Sequence, residues 1–484
     1  MEDKNLQRLK KRSISSVITL TLRTVLLQLI AFVGYFFVTI FLDQKQLGLF
    51  ILVSAVIDIL TYFSDIGLAA ALIQKKEPII LEEIRSTFTI QQFLVVSLII
   101  ILFIFSPLIR KYYSFGNEGM FLLYAFAIAF FMSSLKTIPS VLLERKLKFE
   151  KIVFPQIVET IVFNLIVVFL AWKGLGVTSY AFAVLARAFT GTILIYILAP
   201  WKIGFSFSKK SLKKLLKFGL PYQVNTLIAV VKDKFMILFL GGVIGQAGLG
   251  LIGWAEKWAN MPLRYFLDST NKVAFPAFAR MQHDQNKLKR GIEAALYFLV
   301  VLIFPSLIGL SLLSIDLVKI IPRYLKWQPA LLPLFLYAGS AMWATVSTLL
   351  TNALTAMGEI KTVLKLMVMW TILSWIFTPI LAIKLGFIGV PLAAFIVSLS
   401  SIVAIAVTLR YIKFDLLGSI LPAALSSLVM ASFLIVIKNR LPLNMISVII
   451  KIVLGIIIYF LTLFLINKDK LLKEVKIILS YVKK

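Results

Sequence analysis

Cysteine is absent from the 484 residues and histidine occurs once, at His283, in a polar stretch. Disulfides, thiolate nucleophiles, zinc sites and histidine acid/base catalysis are thereby excluded together, so no cofactor or metal is expected. Acidic residues are scarce: 22 Asp and Glu face 51 Lys and Arg, a net charge of +29, although charged residues make up only 15% of the chain. Polar connections are short as well, and none reaches the size of a folded domain. Glycosyl transfer or polymerisation on an outer face would want a sizeable loop carrying acid/base residues, so a membrane glycosyltransferase or polymerase is disfavoured. The sequence does not read as an enzyme.

Apolar length, by contrast, is plentiful. The chain is 60% hydrophobic with a mean hydropathy of +0.96, and apolar runs recur from Ile14 to Ile466. About fourteen of them are long enough to cross a hydrocarbon core as helices. The expectation is an all-α polytopic membrane protein. The basic start MEDKNLQRLKKR resembles the head of a signal peptide, but the apolar stretch after it is too long for one and reads as a retained first helix. In such a chain the excess cations report topology: Lys and Arg gather on alternate loops, which predicts both termini in the cytoplasm of a multi-pass cell (inner or plasma) membrane protein. Basic runs such as SKKSLKKLLK (208–217) and KDKLLKEVK (468–476) are expected along anionic membrane lipids, and no nucleic-acid partner is expected.

An internal repeat organises the spans. QKQLGLFILV (44–53) leads into the second helix and QAGLGLIGWA (246–255) into the eighth; GLGVTSYAFAVL (174–185) opens the sixth and GFIGVPLAAFIV (386–397) the twelfth. Six helices separate each pair, so the copies share one orientation, as in two lobes related by an axis along the membrane normal with a site between them. The expected layout is a cytoplasmic N-terminus (1–13), an N-lobe of six helices (14–199) and a basic amphipathic linker (200–217). A C-lobe of six helices (218–410), two further helices (411–466) and a basic tail (467–484) follow.

The spans also carry charges. In WAEKWANMPLRYFLDSTNK (254–272), taken as a continuous helix, Lys257, Asn260, Arg264, Asp268, Asn271 and Lys272 share one face about 120° wide, with Glu256 outside it. Pro262 permits a kink beside them. A charge at mid-bilayer costs roughly 2.5–3.5 kcal/mol, so the stripe should face protein or a water-filled cavity. Arg264, Asp268 and Lys272, spaced i, i+4, i+8, would on the plainest reading neutralise one another. Arg23, Lys136, Arg187, Lys232 and Lys234 on other spans add positive charge beyond that. Arg23, Arg187, Lys232, Lys234, Lys257, Arg264 and Lys272 are therefore candidate ligands for a phosphate-bearing substrate, with Asn225, Asn260, Asp268 and Asn271 as polar neighbours. Asp65, Asp233 and Glu256 are candidates for carrying a coupling proton or sodium ion, and Asp58 and Glu159 are further intramembrane acids. Trp254, Trp258, Tyr265 and Phe266 flank the stripe, as stacking surfaces for sugars or as packing.

Several segments resemble the polysaccharide-transporter branch of the multidrug/oligosaccharidyl-lipid/polysaccharide exporter superfamily, the Wzx-type flippases of lipid-linked oligosaccharides, with lipopolysaccharide or teichuronic acid exporters as the nearest subgroup. They are 47–74, LLERKLKFEKI (142–152), 174–188 and above all 232–284, where Asp233, Gly248, Gly250, Ala255, Pro262, Phe275, Pro276, Phe278 and Arg280 match the pattern. Ile252 departs from it, standing where a tyrosine is common. The resemblance covers roughly residues 10–410. It implies a two-lobed fourteen-helix fold, alternating access, an undecaprenyl-pyrophosphate-linked glycan as substrate and polysaccharide assembly machinery as partner. The alternatives are a cation-coupled multidrug exporter of the same fold, whose cavity should be acidic or apolar, and a scaffold with a degenerate flippase fold.

Overall fold

The computed structural model describes residues 26–482, apart from several side chains in the basic-led helix after residue 208 and those beyond residue 468. Among the described residues there are helices and no strands. In chain order they are α1 (Leu26–Phe41), α2 (Gln44–Ser64), α3 (Leu68–Gln74), α4 (Leu81–Tyr112), α5 (Asn117–Leu135), α6 (Thr137–Arg145), α7 (Glu150–Trp172), α8 (Thr178–Leu198), α9 (Lys209–Val230) and α10 (Met236–Val243). Then come α11 (Gly245–Ala259), α12 (Asp268–Met281), α13 (Gln285–Ile320), α14 (Leu331–Ala356), α15 (Ile360–Leu385), α16 (Gly389–Leu399), α17 (Ser401–Tyr411), α18 (Leu416–Ile437) and α19 (Met445–Val482).

Ten helical segments among the described residues are long and apolar enough to cross a membrane. One of them, Ile360–Tyr411, holds two of the expected spans, joined at Gly386 with φ +62°, a left-handed conformation that favours glycine. The expected seventh and eighth spans are not among the ten; charged residues interrupt both, and π-helical turns break them at Val231–Phe235 and Leu263–Leu267. The expected second span also breaks, at Asp65–Gly67, where the Asp65 carboxylate accepts from the backbone N–H of Leu68 and Ala69 and so satisfies the first turn of α3. The chain is an all-α, multi-pass membrane protein.

Its residues form two compact units, Met1–Gly250 and Leu251–Lys484. In the first, α8 packs along both α5 and α7. Ala181, Ala183 and Ala188 on α8 are buried and let these helices approach closely, and Phe50 stacks on Tyr180 with ring centroids 3.9 Å apart. Helix α9 lies against α3 and α4 in the same unit. A reciprocal contact joins the two recurring glycine motifs: a methyl at Gly48 would stand 1.7 Å from the Gln246 carbonyl oxygen, and one at Gly250 1.8 Å from that of Gln44. Equivalent residues of two motif copies thus exchange the same contact, the pattern a local two-fold axis produces.

The second unit is built around α13, whose Leu296, Leu299, Val300, Ile303 and Leu307 are fully buried against α14, α18 and α19. Three of the prolines are answered by hydroxyl groups. Pro305 has no N–H to give the Val301 carbonyl four residues back, and the Tyr459 hydroxyl donates to that oxygen at 2.9 Å. Ser106 does the same for Phe103 before Pro107 at 2.8 Å, and Tyr196 for Leu135 before Pro139 at 3.1 Å. In a medium without water each such bond replaces one that the proline removed. A cavity of 360 Å³ lies between α13, α18 and α19, bounded by Gly309, Met430 and Gly455.

Candidate functional site

The stretch 254–281 is where the helical pattern and the charge pattern both change. Asn260 ends α11 in a turn, Pro262 follows, and the N–H of Asp268 bonds to the carbonyl of Leu263, five residues back. This wide turn inserts one residue relative to a straight α-helix, so positions beyond it rotate by about 100°. π-Helical turns of this kind are frequent at functional positions. The outcome differs from the single continuous face expected from spacing. Lys257, Arg264, Asp268 and Lys272 are exposed, whereas Asn260 and Asn271 are half-buried, and the Asn271 Oδ1 is buried with no hydrogen-bond partner among the described residues. The other side of the same stretch, Leu267, Ala274 and Phe278, is buried in the core formed with α13 and α14.

Mutual neutralisation does not occur along this stripe. No ion pair within 4.0 Å holds Arg264, Asp268 or Lys272 among the described residues. Glu256 and Arg264 both act electrostatically on Lys257, with opposite sign. Arg264, Lys272 and Asp268 are therefore not consumed by one another. Such an array offers anionic oxygens charged donors from several directions.

Trp254 is not available for stacking on a sugar. It is 2% exposed and lies parallel to Trp327, with centroids 5.4 Å apart and Tyr324 edge-on at 6.1 Å. Phe266 is likewise packed on the core, and Trp258 and Tyr265 are half-buried. Here the packing alternative is the one observed for Trp254.

The first unit arranges its charges differently. Within the π-turn Val231–Phe235, Lys234 pairs with Asp58 on α2 at 2.6 Å, Lys232 is half-buried and Asp233 is exposed. Arg187 on α8 stands 3.6 Å from the carboxylate of Glu159 on α7, which also accepts from Lys136 at 2.8 Å. Lys136 is thus tied to a buried acid. Asp65 spends its carboxylate on the α3 turn described above. Arg23 and the side chain of Asn225 lie outside the described residues.

Sequence reasoning passed over two features. The π-turns leave a trace only in Pro262 and in the charges that interrupt apolar spans. The buried pair Asp316–Lys451, 2.7 Å apart with side chains 6% and 4% exposed, joins α13 to α19. Lys451 sits within an expected span and Asp316 just beyond the end of another, and 135 residues separate them in sequence.

Comparison with known proteins agrees with this architecture. The model of the family described as "Polysaccharide biosynthesis protein" matches residues 37–332. The teichuronic acid biosynthesis protein TuaB of Bacillus subtilis is 22% identical over 268 residues, 52% of each chain. The lipopolysaccharide biosynthesis protein WzxC of Escherichia coli is 24% identical over 58% of this chain and 57% of that protein. The chain thus matches little more than half the length of these curated relatives. Among solved structures, the lipid II flippase MurJ in an inward closed conformation superposes with a TM-score of 0.74 at 16% identity, over 94% of this chain and 99% of that one. An inward-facing multidrug resistance MATE transporter of the MOP superfamily gives 0.57 at 16% identity, over 82% and 98%. These two likenesses concern the fold. Because the family model spans well over half of the sequence, including α2, both π-turns and the charged stripe, this chain belongs to the polysaccharide biosynthesis protein family.

Proposed function

We propose that the protein is a flippase that moves a polyprenyl-pyrophosphate-linked oligosaccharide, a precursor of a cell-surface polysaccharide, from the cytoplasmic to the outer leaflet by alternating access. The observation that carries the reading is the exposed pair of cations Arg264 and Lys272, which no carboxylate meets within 4.0 Å among the described residues, with the exposed Lys257 on the same stretch. Cations in a membrane-spanning region are costly unless an anion or water meets them. A pyrophosphate suits them because guanidinium binds phosphate oxygens through paired hydrogen bonds while lysines act as point charges. Arg187, Lys232, Lys234 and Arg23 are the other candidates for binding phosphate. Asn260 and Asn271 supply neutral hydrogen bonds. No bond is made or broken, so the protein acts as a transporter and requires no cofactor.

Asp233, Asp268 and Glu256 are the acids left for proton or sodium coupling in this reading, since Asp65 already caps a helix. Both termini are cytoplasmic, the membrane is the cell membrane, and the product is handed to polysaccharide assembly machinery outside.

The test is flipping by purified protein in proteoliposomes containing a fluorescent polyprenyl-pyrophosphate oligosaccharide. Wild type should move label to the opposite leaflet, and Arg264→Ala should lower the rate by at least about tenfold, the loss of a charged donor to phosphate. Wild-type rates equal to those of empty vesicles, with and without ion gradients, would overturn the proposal.

A further inference from the structure

Glu159 is 5% exposed on α7, and two cations from other elements meet it. Lys136, at the junction of α5 and α6, donates to one carboxylate oxygen at 2.8 Å. Arg187, on α8, approaches the other through Nε at 3.6 Å, beyond hydrogen-bonding range. Room for the carboxylate comes from Gly191, one turn beyond Arg187: a methyl there would stand 1.6 Å from the Glu159 oxygen. The two contacts differ in kind. The Lys136 side chain is 19% exposed and firmly hydrogen-bonded, whereas that of Arg187 is 52% exposed, with its guanidinium carbon 5.9 Å from the centre of the Phe163 ring. One carboxylate thus serves two cations, and the loosely held cation is the exposed one.

We infer that Glu159 is a displaceable counter-ion for Arg187, a positioning residue that holds the guanidinium against Phe163 until the pyrophosphate of the substrate takes it over. The inference rests on the flippase reading above. A phosphate offers Arg187 two short charge-assisted bonds in place of one long contact, so exchange is favourable. Leaving Glu159 buried without a partner would oppose the exchange, but Lys136 stays bonded to it throughout, so no uncompensated charge is created. The carboxylate also competes with the bound anion. Competition weakens binding and speeds release, which a transporter requires, since a headgroup held too firmly is not delivered.

The experiment measures binding of polyprenyl pyrophosphate to the detergent-purified full chain, and transport in vesicles, for wild type and Glu159→Gln. The amide keeps the shape and removes the competing charge. The expected result is a Kd lowered by about tenfold, with KM and kcat for transport falling together because release slows. Adding Arg187→Ala to Glu159→Gln should erase the gain. If Glu159→Gln alone does not fold, because Lys136 loses its partner, Lys136→Met/Glu159→Gln removes both charges and is read the same way. Wild type that binds while neither variant binds more tightly overturns this inference and leaves the flippase intact. A gain for phosphatidylglycerol without one for polyprenyl pyrophosphate overturns it too. Wild type that binds no polyprenyl pyrophosphate removes the flippase reading and this inference with it.

Discussion

Two sets of membrane-embedded charge in the second unit behave in opposite ways. Asp316 and Lys451 are buried within a hydrogen bond of each other, and Lys451 also reaches the Lys438 carbonyl at 3.3 Å. Arg264, Asp268 and Lys272 are exposed on a broken helix and pair with nothing within 4.0 Å among the described residues. The difference follows from surroundings. A charge sealed among α13, α18 and α19 must find its opposite, because the desolvation cost is otherwise unmet. A charge facing away from the core is free to wait for a ligand. In this unit a sealed pair marks structure, and an exposed charge without a pair marks availability.

The comparison can be broken from its buried side. Asp316→Ala leaves Lys451 uncompensated and should cost about 3–5 kcal/mol of stability, read as a lowered unfolding midpoint in detergent. Asp316→Leu/Lys451→Met should recover most of that loss, because the buried pair contributes little net stability. A double variant as unstable as the single one would mean that the pair does more than compensate itself. Next in size, Tyr459→Phe returns the Val301 carbonyl to its unsatisfied state before Pro305 and should cost about 1 kcal/mol in the same assay. An unchanged midpoint would show that the carbonyl finds another donor.

From the exposed side, Arg264→Ala should leave stability within about 0.5 kcal/mol while transport fails, which separates it from Asp316→Ala. A large destabilisation would place Arg264 with the structural charges. The smallest effect concerns Asp284, outside the spanning segments, whose carboxylate accepts from the Lys287 N–H at the start of α13. That hydrogen bond, with help from the Lys287 side chain, holds its carboxyl below the usual carboxylate range. A depressed folded pKa means that the stabilisation is present above the unfolded value near 3.9 and is lost as pH falls through the folded one. The first turn of α13 should therefore fray in acid, seen as faster amide exchange at Leu288, and Asp284→Ala should remove the pH dependence.

Several parts of this arrangement were legible beforehand because they are local. Apolar runs of spanning length require helices whatever surrounds them, as α4 and α13 demonstrate. The recurring Leu-Gly-Leu motifs were visible as a repeat, although the reciprocal contact of Gly48 with Gln246 and of Gly250 with Gln44 was not. The charges of 257–272 were readable one by one. Their facing was not, because a helical wheel assumes a constant turn and the π-turn after Pro262 changes it. Likewise, Trp254 beside Lys257 suggested a stacking surface, and only its contact with Trp327 identified it as core.

The sequence alone determined the medium, the helical class and the excess of positive charge, since each follows from composition and from the inability of lipid to satisfy an open backbone. Which charges are free and which are paired was decided by the tertiary structure. Glu159 meets Lys136 and Arg187 from two other elements, and Asp316 meets Lys451 from 135 residues away. An ion pair is a property of distance through space, and no spacing along the chain encodes it.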